Sequence, residues 1–326
     1  MDLLCTKNRA RETLSGAACD TQKLTLLHTG AALAVSFVLT LLHLLLSRQI
    51  DTTGGLAGIG TRSVLELLQS VLSLGSTIAL PFWELGFLFA VIGFARQEAV
   101  APRDFLTGFR RFGPALRLFV LQFFMYLAIA FALMNLASML FMVTPGFSKT
   151  ADLLMPMMEQ YATGEMPEMD TETALLLLKA TVPMYIIWGV LFAVIGIPLA
   201  YRFRMAHFAL MDGAPGALAA MGLSGRMMRG NRFSLFKLDL SFWWYYAAQA
   251  ALMVLAYGDL LLAAMGVELP IDGTALYLIF YIAYLLLNLA LAWLCKARVQ
   301  TTYAHCYLLL KEAAPEPKQI PAPFPK

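Results

Sequence analysis

Glu84 is the residue whose position most invites chemistry. It falls near the middle of a long apolar run, 71–95, and a carboxylate at the centre of a membrane costs roughly 2.5 to 3.5 kcal/mol on insertion scales unless it is protonated or partnered. Pro81 before it and Gly86 after it would bend a helix and let a second backbone come close. Gln249 and Asn288 fall at similar depth in later apolar runs, and Asn135 somewhat nearer the outer face. These four residues form a candidate intramembrane polar site able to bind a cation, a proton or a lipid headgroup. The plainer reading makes Glu84 a protonated acid that hydrogen-bonds between helices and serves only as glue.

Other chemistries lack their residues. His28 and His43 lie at opposite ends of one apolar run, and no histidine pair has the four-residue spacing of a helical metal site. No Gly-x-Ser-x-Gly elbow and no Gly-Lys-Ser/Thr phosphate loop occurs. Cys5, Cys19, Cys295 and Cys306 form no C-x-x-C or mixed Cys/His zinc spacing. No catalytic residue, metal or cofactor is therefore expected, and the chain is not expected to be an enzyme.

The elements that must position these residues follow from solvent preference. Hydrophobic residues make up 60% of the chain and charged ones 14%, against about 45 to 50% and about 25% in ordinary soluble domains. Six apolar runs, 24–46, 71–95, 118–143, 180–200, 240–264 and 274–295, have the roughly 20 residues that a helix needs to cross a hydrocarbon core. Lipid offers no partner to a bare peptide group, and the period-2 alternation of a barrel is absent, so each run must be helical. The first run is too long for a signal peptide and no small-x-small site follows it, so it is expected to stay as an anchor. The expected fold is all-α, a polytopic transmembrane helix bundle of six spans. Residues 1–23 precede a membrane domain at 24–310, and a proline-rich tail, 311–326, should be extended and disordered. Close packing is expected at small-residue steps, Gly86 with Ala90, Ala128 with Ala132 and Gly189 with Ala193, and kinks at Pro81, Pro183 and Pro198.

Charge sets the orientation. All Lys and Arg except Arg48, Arg62, Lys149 and Lys179 fall on the side of the chain termini, and basic residues in short loops stay in the cytoplasm. Both ends are thus expected in the cytoplasm and the protein in the cell membrane, with its cysteines in or beside a reducing compartment. On that side, Pro102 to Gly113 places Phe105, Leu106, Phe109 and Phe112 at helical spacing against Arg103, Asp104, Arg110 and Arg111, a short helix suited to the headgroup region. Gly216 to Arg229 repeats the idea more weakly. Arg103, Arg110, Arg111, Arg226, Arg229 and Arg232 are candidate contacts for anionic lipid, each worth about 1 kcal/mol before screening, unless they serve orientation alone. Trp243, Trp244, Tyr245 and Tyr246 read as an inner aromatic belt. On the outer side, Gly146 to Thr173 reads as an acidic loop. The expected partners are membrane lipids, anionic on the cytoplasmic face, together with another membrane protein or a second copy. A nucleic acid is not expected, since no basic aromatic-laced module stands outside the spans.

One stretch is more particular than composition. It holds Tyr201, Asp212, Ser224, Met227, Met228, Gly230 and Arg232, and ends in Leu240, Ser241 and Phe242. This pattern resembles the hallmark of an uncharacterised bacterial integral membrane family, a domain of unknown function common in Gram-positive organisms. Flanking segments, Arg9 to Gly16 and Thr302 to Leu310, are similar too, while Tyr245 departs from the family's final tryptophan. The resemblance implies architecture and no known activity. The function expected is accessory, lipid-interacting or scaffolding, with small-solute or export transport through Glu84 as the alternative; the kinking prolines do not correspond between the two halves, as an inverted repeat would require. If the charge partition sets the threading, a protease applied outside intact cells should leave the Arg226 to Lys237 region uncut.

Overall fold

The structure, a computed structural model, describes residues 3–16, 21–52, 59–163, 171–267, 270 and 272–314, and among them every regular element is a helix. Helix α1 is Leu3–Gly16, α2 Thr21–Thr52 and α3 Ile59–Ala95; a 3-10 turn Pro102–Leu106 and α4 Thr107–Arg110 lead to α5, Phe112–Phe141. Then come α6 Pro145–Ala162, α7 Thr171–Leu191, α8 Ile197–Arg202, α9 Ala206–Met211, α10 Ala217–Met227 and α11 Arg232–Leu240. The chain continues through α12 Trp243–Ala256, α13 Gly258–Ala264, α14 Gly273–Leu291 and α15 Ala297–Glu312. Five helical stretches are long and apolar enough to cross a membrane, and a sixth forms if α12 and α13, bent by 65° at their break, count as one span.

Several boundaries differ from the expected ones. The second run is helical from Ile59, so Glu84 lies in the last third of α3 rather than at its middle. The fifth run breaks: Leu240 ends α11, and a Cβ on Gly258 would come 2.5 Å from the Phe280 ring, so that ring packs where only a glycine fits. The last helix passes the expected end at Cys295 and continues to Glu312, through a π turn at Ala292–Lys296. Lys311 and Glu312 are therefore helical, and the tail from Pro315 onward lies outside the described residues. The expected acidic loop is instead largely α6, for which Pro145 supplies a first-turn residue whose missing N–H costs nothing. Glu165, Glu168 and Asp170 lie outside the described residues.

Chain contacts divide the molecule into two units, one made of Met1–Leu116 with Met205–Lys326 and the other of Arg117–Arg204. In the second unit α6 packs on α7. A Cβ on Gly146 would come 2.9 Å from both the Ala180 carbonyl oxygen and the Phe141 ring, so this glycine allows the approach. Pro198 cannot donate to the carbonyl four residues back, and the helix absorbs the loss in a π turn at Phe192–Gly196 before α8 resumes. Ala128 and Ala132 are exposed, and a Cβ on Gly189 would meet nothing within 4 Å, so neither step brings backbones together within the unit.

In the first unit α2 lies beside α3, and α15 packs along both α1 and α3. His28 on α2 is fully buried, with its ring 5.0 Å from that of Trp83 and 4.4 Å from that of Phe87. Trp83 returns its indole N–H to the His28 carbonyl at 3.1 Å. Helix α3 ends where Gln97 turns left-handed at φ 60°, with the amides of Gln97 and Glu98 donating back to Phe94 and Gly93; these are the paired bonds of a Schellman stop. The chain then doubles back on α3. Pro102 opens the 3-10 turn, and Asp104 accepts the Ala101 amide at 2.8 Å. A Cβ on Gly86 would lie 1.7 Å from the Phe105 carbonyl oxygen, and one on Gly108 1.9 Å from that of Phe82, so backbone meets backbone at both points. The expected flat helix is thus partly overturned. Phe105 is 1% exposed and packs inward near His28, while Leu106, Phe109 and Phe112 stay exposed.

Substituting Gly86 or Gly108 by alanine forces those backbones apart and should cost about 1 to 3 kcal/mol. Gly75, whose Cβ would meet nothing within 4 Å, serves as a matched control: Gly75→Ala should stabilise by about 0.5 to 1 kcal/mol. Thermal unfolding in one detergent checks both signs.

Candidate functional site

Each of the four side chains of the expected polar site has a partner other than the remaining three. The Glu84 carboxylate accepts from Lys296 Nζ at 3.1 Å, and that ammonium also lies 4.9 Å from the centroid of the Phe87 ring. Gln249 turns its amide to the Tyr245 hydroxyl at 3.5 Å and Asn288 to the Tyr284 hydroxyl at 3.2 Å, each four residues back on its own helix. Asn135, in the second unit, donates to the Phe131 carbonyl and is exposed. The reason is local: an amide four residues after a tyrosine or a free carbonyl finds a partner on its own helix face without needing another helix.

A different constellation forms on the residues of the family-like stretch. Asp212, one residue past α9, has a carboxylate only 3% exposed. It accepts from Lys311 Nζ at 2.6 Å, from the Tyr307 hydroxyl at 2.8 Å and from Arg96. Arg111 donates to the neighbouring Leu210 carbonyl. Burial works to raise the Asp212 pKa, yet the hydrogen bonds from Lys311, Tyr307 and Arg96 outweigh it and hold the carboxyl below the ordinary range. The short α9 is positioned by its own apolar side, since Ala206, Phe208, Ala209, Leu210 and Met211 are all buried. Ser224, also buried, accepts the Met205 amide at 3.2 Å and so ties α10 to the start of α9. Met227 and Met228 are fully packed, and Gly230 takes the left-handed backbone at φ 83° that ends this segment.

A second acid is held by the same helix. Tyr303 donates to Asp239, and the Tyr246 hydroxyl lies 2.6 Å from that of Tyr303. Tyr303, Tyr307 and Lys311 recur every fourth residue on α15, so one helical stripe serves both aspartates. That spacing was legible, and it is the signal that sequence reasoning passed over. On α15 His305 lies 2.8 Å from the Thr13 hydroxyl of α1. Lys7 lies 4.6 Å from the Phe242 ring centroid, and burial, with Arg298 and Arg11 nearby, lowers its pKa. Of the aromatic belt, Trp243 and Trp244 are exposed whereas Tyr245 turns inward at 6% exposure.

The candidate lipid contacts fall into two groups. Arg103, Arg110 and Arg229 are exposed; Arg232 is half-buried at the start of α11. Arg111 is occupied by the Leu210 carbonyl, and the Arg226 Nε is buried without a hydrogen bond among the described residues. Among the described residues no group of three His, Cys, Asp or Glu side chains could hold a metal ion. The arrangement offers ionic anchoring inside and cationic, aromatic surface outside.

Because Asp212 is held below its unfolded pKa of about 3.9, its contribution is fully present above that value and is lost as pH falls through the folded one. Asp212→Asn should therefore lower stability at neutral pH by about 1.5 to 3 kcal/mol, and below about pH 5 its melting temperature should fall less steeply than the wild type's. Melting curves from pH 7 to 3 give both readings.

No curated protein and no solved structure is similar enough to match this chain. One family model does, over residues 4–314, from α1 through the end of α15. With nearly the whole described chain covered, the protein belongs to the family described as Protein of unknown function (DUF975).

Proposed function

We propose that this is an accessory, lipid-interacting membrane protein, without enzymatic activity, whose cytoplasmic face binds anionic lipid and whose two ends lie in the cytoplasm of a bacterial cell. One observation carries the reading. Among the described residues no ion pair engages Arg103, Arg110, Arg229 or Arg232, and exposed large apolar side chains flank them: Leu106, Phe109 and Phe112 beside the first two, Phe233 and Phe236 beside the others. A cation held next to bare aromatic surface suits the boundary between headgroups and acyl chains, where the ring enters the lipid and the guanidinium meets phosphate. The like-charged neighbourhood of Lys7, Arg11 and Arg298 adds to it. The positive-inside partition supports the orientation. Scaffolding of a second membrane protein, or of a second copy, would use the same exposed rings.

A second reading, small-solute or export transport, draws on the Glu84–Lys296 pair beside the buried His28, since charged side chains within spans mark ion and substrate paths.

The lipid reading is checked by replacing Arg103, Arg110, Arg229 and Arg232 together with glutamine. Retention of phosphatidylglycerol by the purified protein, counted after detergent exchange, should drop by about fivefold per arginine, with phosphatidylcholine retention unchanged. Equal retention of phosphatidylglycerol by wild type and variant would remove the proposal.

A further inference from the structure

We infer that the first unit carries a binding site for an uncharged glycosyl lipid, built from a tyrosine-walled polar cavity that runs into an apolar groove between α2 and α3. The cavity measures about 760 Å³, within the range of about 300 to 1,000 Å³ that small-molecule sites occupy. Its polar wall comes from three places. Helix α2 offers Thr40, His43 and Ser47; α3 offers Gln69, Ser73 and Ser76; and Tyr257, Tyr277 and Tyr281 close the far side. These groups are already ordered. The Gln69 amide nitrogen lies 2.8 Å from His43 Nε2 and 3.4 Å from the Ser47 hydroxyl. Thr40 and Tyr277 line the cavity together. The rings of Tyr277 and Tyr281 stack at 5.8 Å and 9°, and Tyr284 continues the ladder at 6.0 Å.

Two features select the ligand. The first is charge. Among the described residues no Lys, Arg, Asp or Glu lines the cavity, the groove or a third cavity of about 490 Å³ that shares Ser36, Tyr257 and Tyr281 with the first. A charged headgroup would lose its hydration there and find no counter-charge, whereas a head made of hydroxyls would find hydroxyl, amide and imidazole partners. Flat aromatic walls suit the apolar face of a sugar ring, with hydroxyls around its edge. The second feature is continuity. The groove, of about 360 Å³, is lined by Ala31, Val35, Val71, Gly75, Ala79 and Trp83 among others. Ser36, Leu39, Leu72, Ser76 and Leu80 line both spaces. A polar pocket that passes into an apolar slot along the same two helices matches one amphiphile, with its sugar among the tyrosines and its chain against α2 and α3. The site holds none of the arginines of the basic surface, meets that surface only at Phe109, and stands without it.

The test uses the full chain in phosphatidylcholine nanodiscs carrying equal minor fractions of monoglucosyl diacylglycerol and phosphatidylglycerol, with retained lipid counted by mass spectrometry after exchange into detergent. The wild type should be enriched in the glucosyl lipid over phosphatidylcholine. Gly75→Leu fills the groove from a position with free space around its Cβ and should abolish that enrichment; Gln69→Leu and Tyr281→Phe should each reduce it by about fivefold, the equivalent of one hydrogen bond. All three should keep phosphatidylglycerol, while the four-arginine variant should lose phosphatidylglycerol and keep the glucosyl lipid, so the two readings fail separately. Absence of enrichment in the wild type overturns the inference, as does full retention by a folded Gly75→Leu protein. Should Gly75→Leu not fold, unchanged retention by the Gln69→Leu, Tyr281→Phe double variant overturns it equally.

Discussion

The arrangement of the first unit depends on neutralising one buried carboxylate. Asp212 is almost wholly withdrawn from solvent, and it is satisfied by two cations and a phenol from segments far before and far after it in the chain: Arg96 just past α3, Tyr307 and Lys311 on α15. A carboxylate in such a place is tolerable only when its lone pairs are taken up and its charge is answered. The long closure between residue 96 and residue 311 costs entropy that grows only slowly with loop length, so a few charge-assisted bonds can hold it. The surrounding pieces follow from this demand. Helix α9 is short and apolar because it must deliver Asp212 into the interior, and α15 continues past its π turn because its tyrosines and lysine must reach it.

Where charge does not join helices, close approach does. Between helices surrounded by acyl chains the hydrophobic drive is weak, and van der Waals contact with interhelical hydrogen bonds takes its place. At Gly86 and Gly108 the contact is backbone on backbone, the nearest approach a polypeptide permits. The His28 and Trp83 pair adds a reciprocal lock between α2 and α3, with stacked rings and the indole bonded across to a carbonyl. The π turns at Phe192–Gly196 and Ala292–Lys296 let long helices adjust without being cut.

Polar groups within the apolar helices have two fates. Gln249 and Asn288 bond to tyrosines of their own helices, which leaves Glu84 to pair with Lys296. His43, Gln69 and the serines around them cluster in a cavity instead. The difference lies in reach. A side chain with a partner one turn away is satisfied before any neighbour arrives, whereas short hydroxyl side chains on facing helices can be gathered only by packing those helices together.

What the residues alone determined is the part governed by solvent: all-helical spans, their approximate places along the chain, the family-like stretch around Asp212, and the separation of basic from other connections. Each depends on local composition or spacing, and transfer between water and lipid is a local sum. Even the stripe of Tyr303, Tyr307 and Lys311 could be read from its period. What only the tertiary structure decided is partnership. Neither the two carboxylates to which those three residues turn, nor the lysine that answers Glu84, nor the break of the fifth run against Phe280 could be read from the chain, because each depends on distances between segments far apart in sequence. Hydrophobicity placed the helices in lipid, and geometry chose which polar atoms meet there.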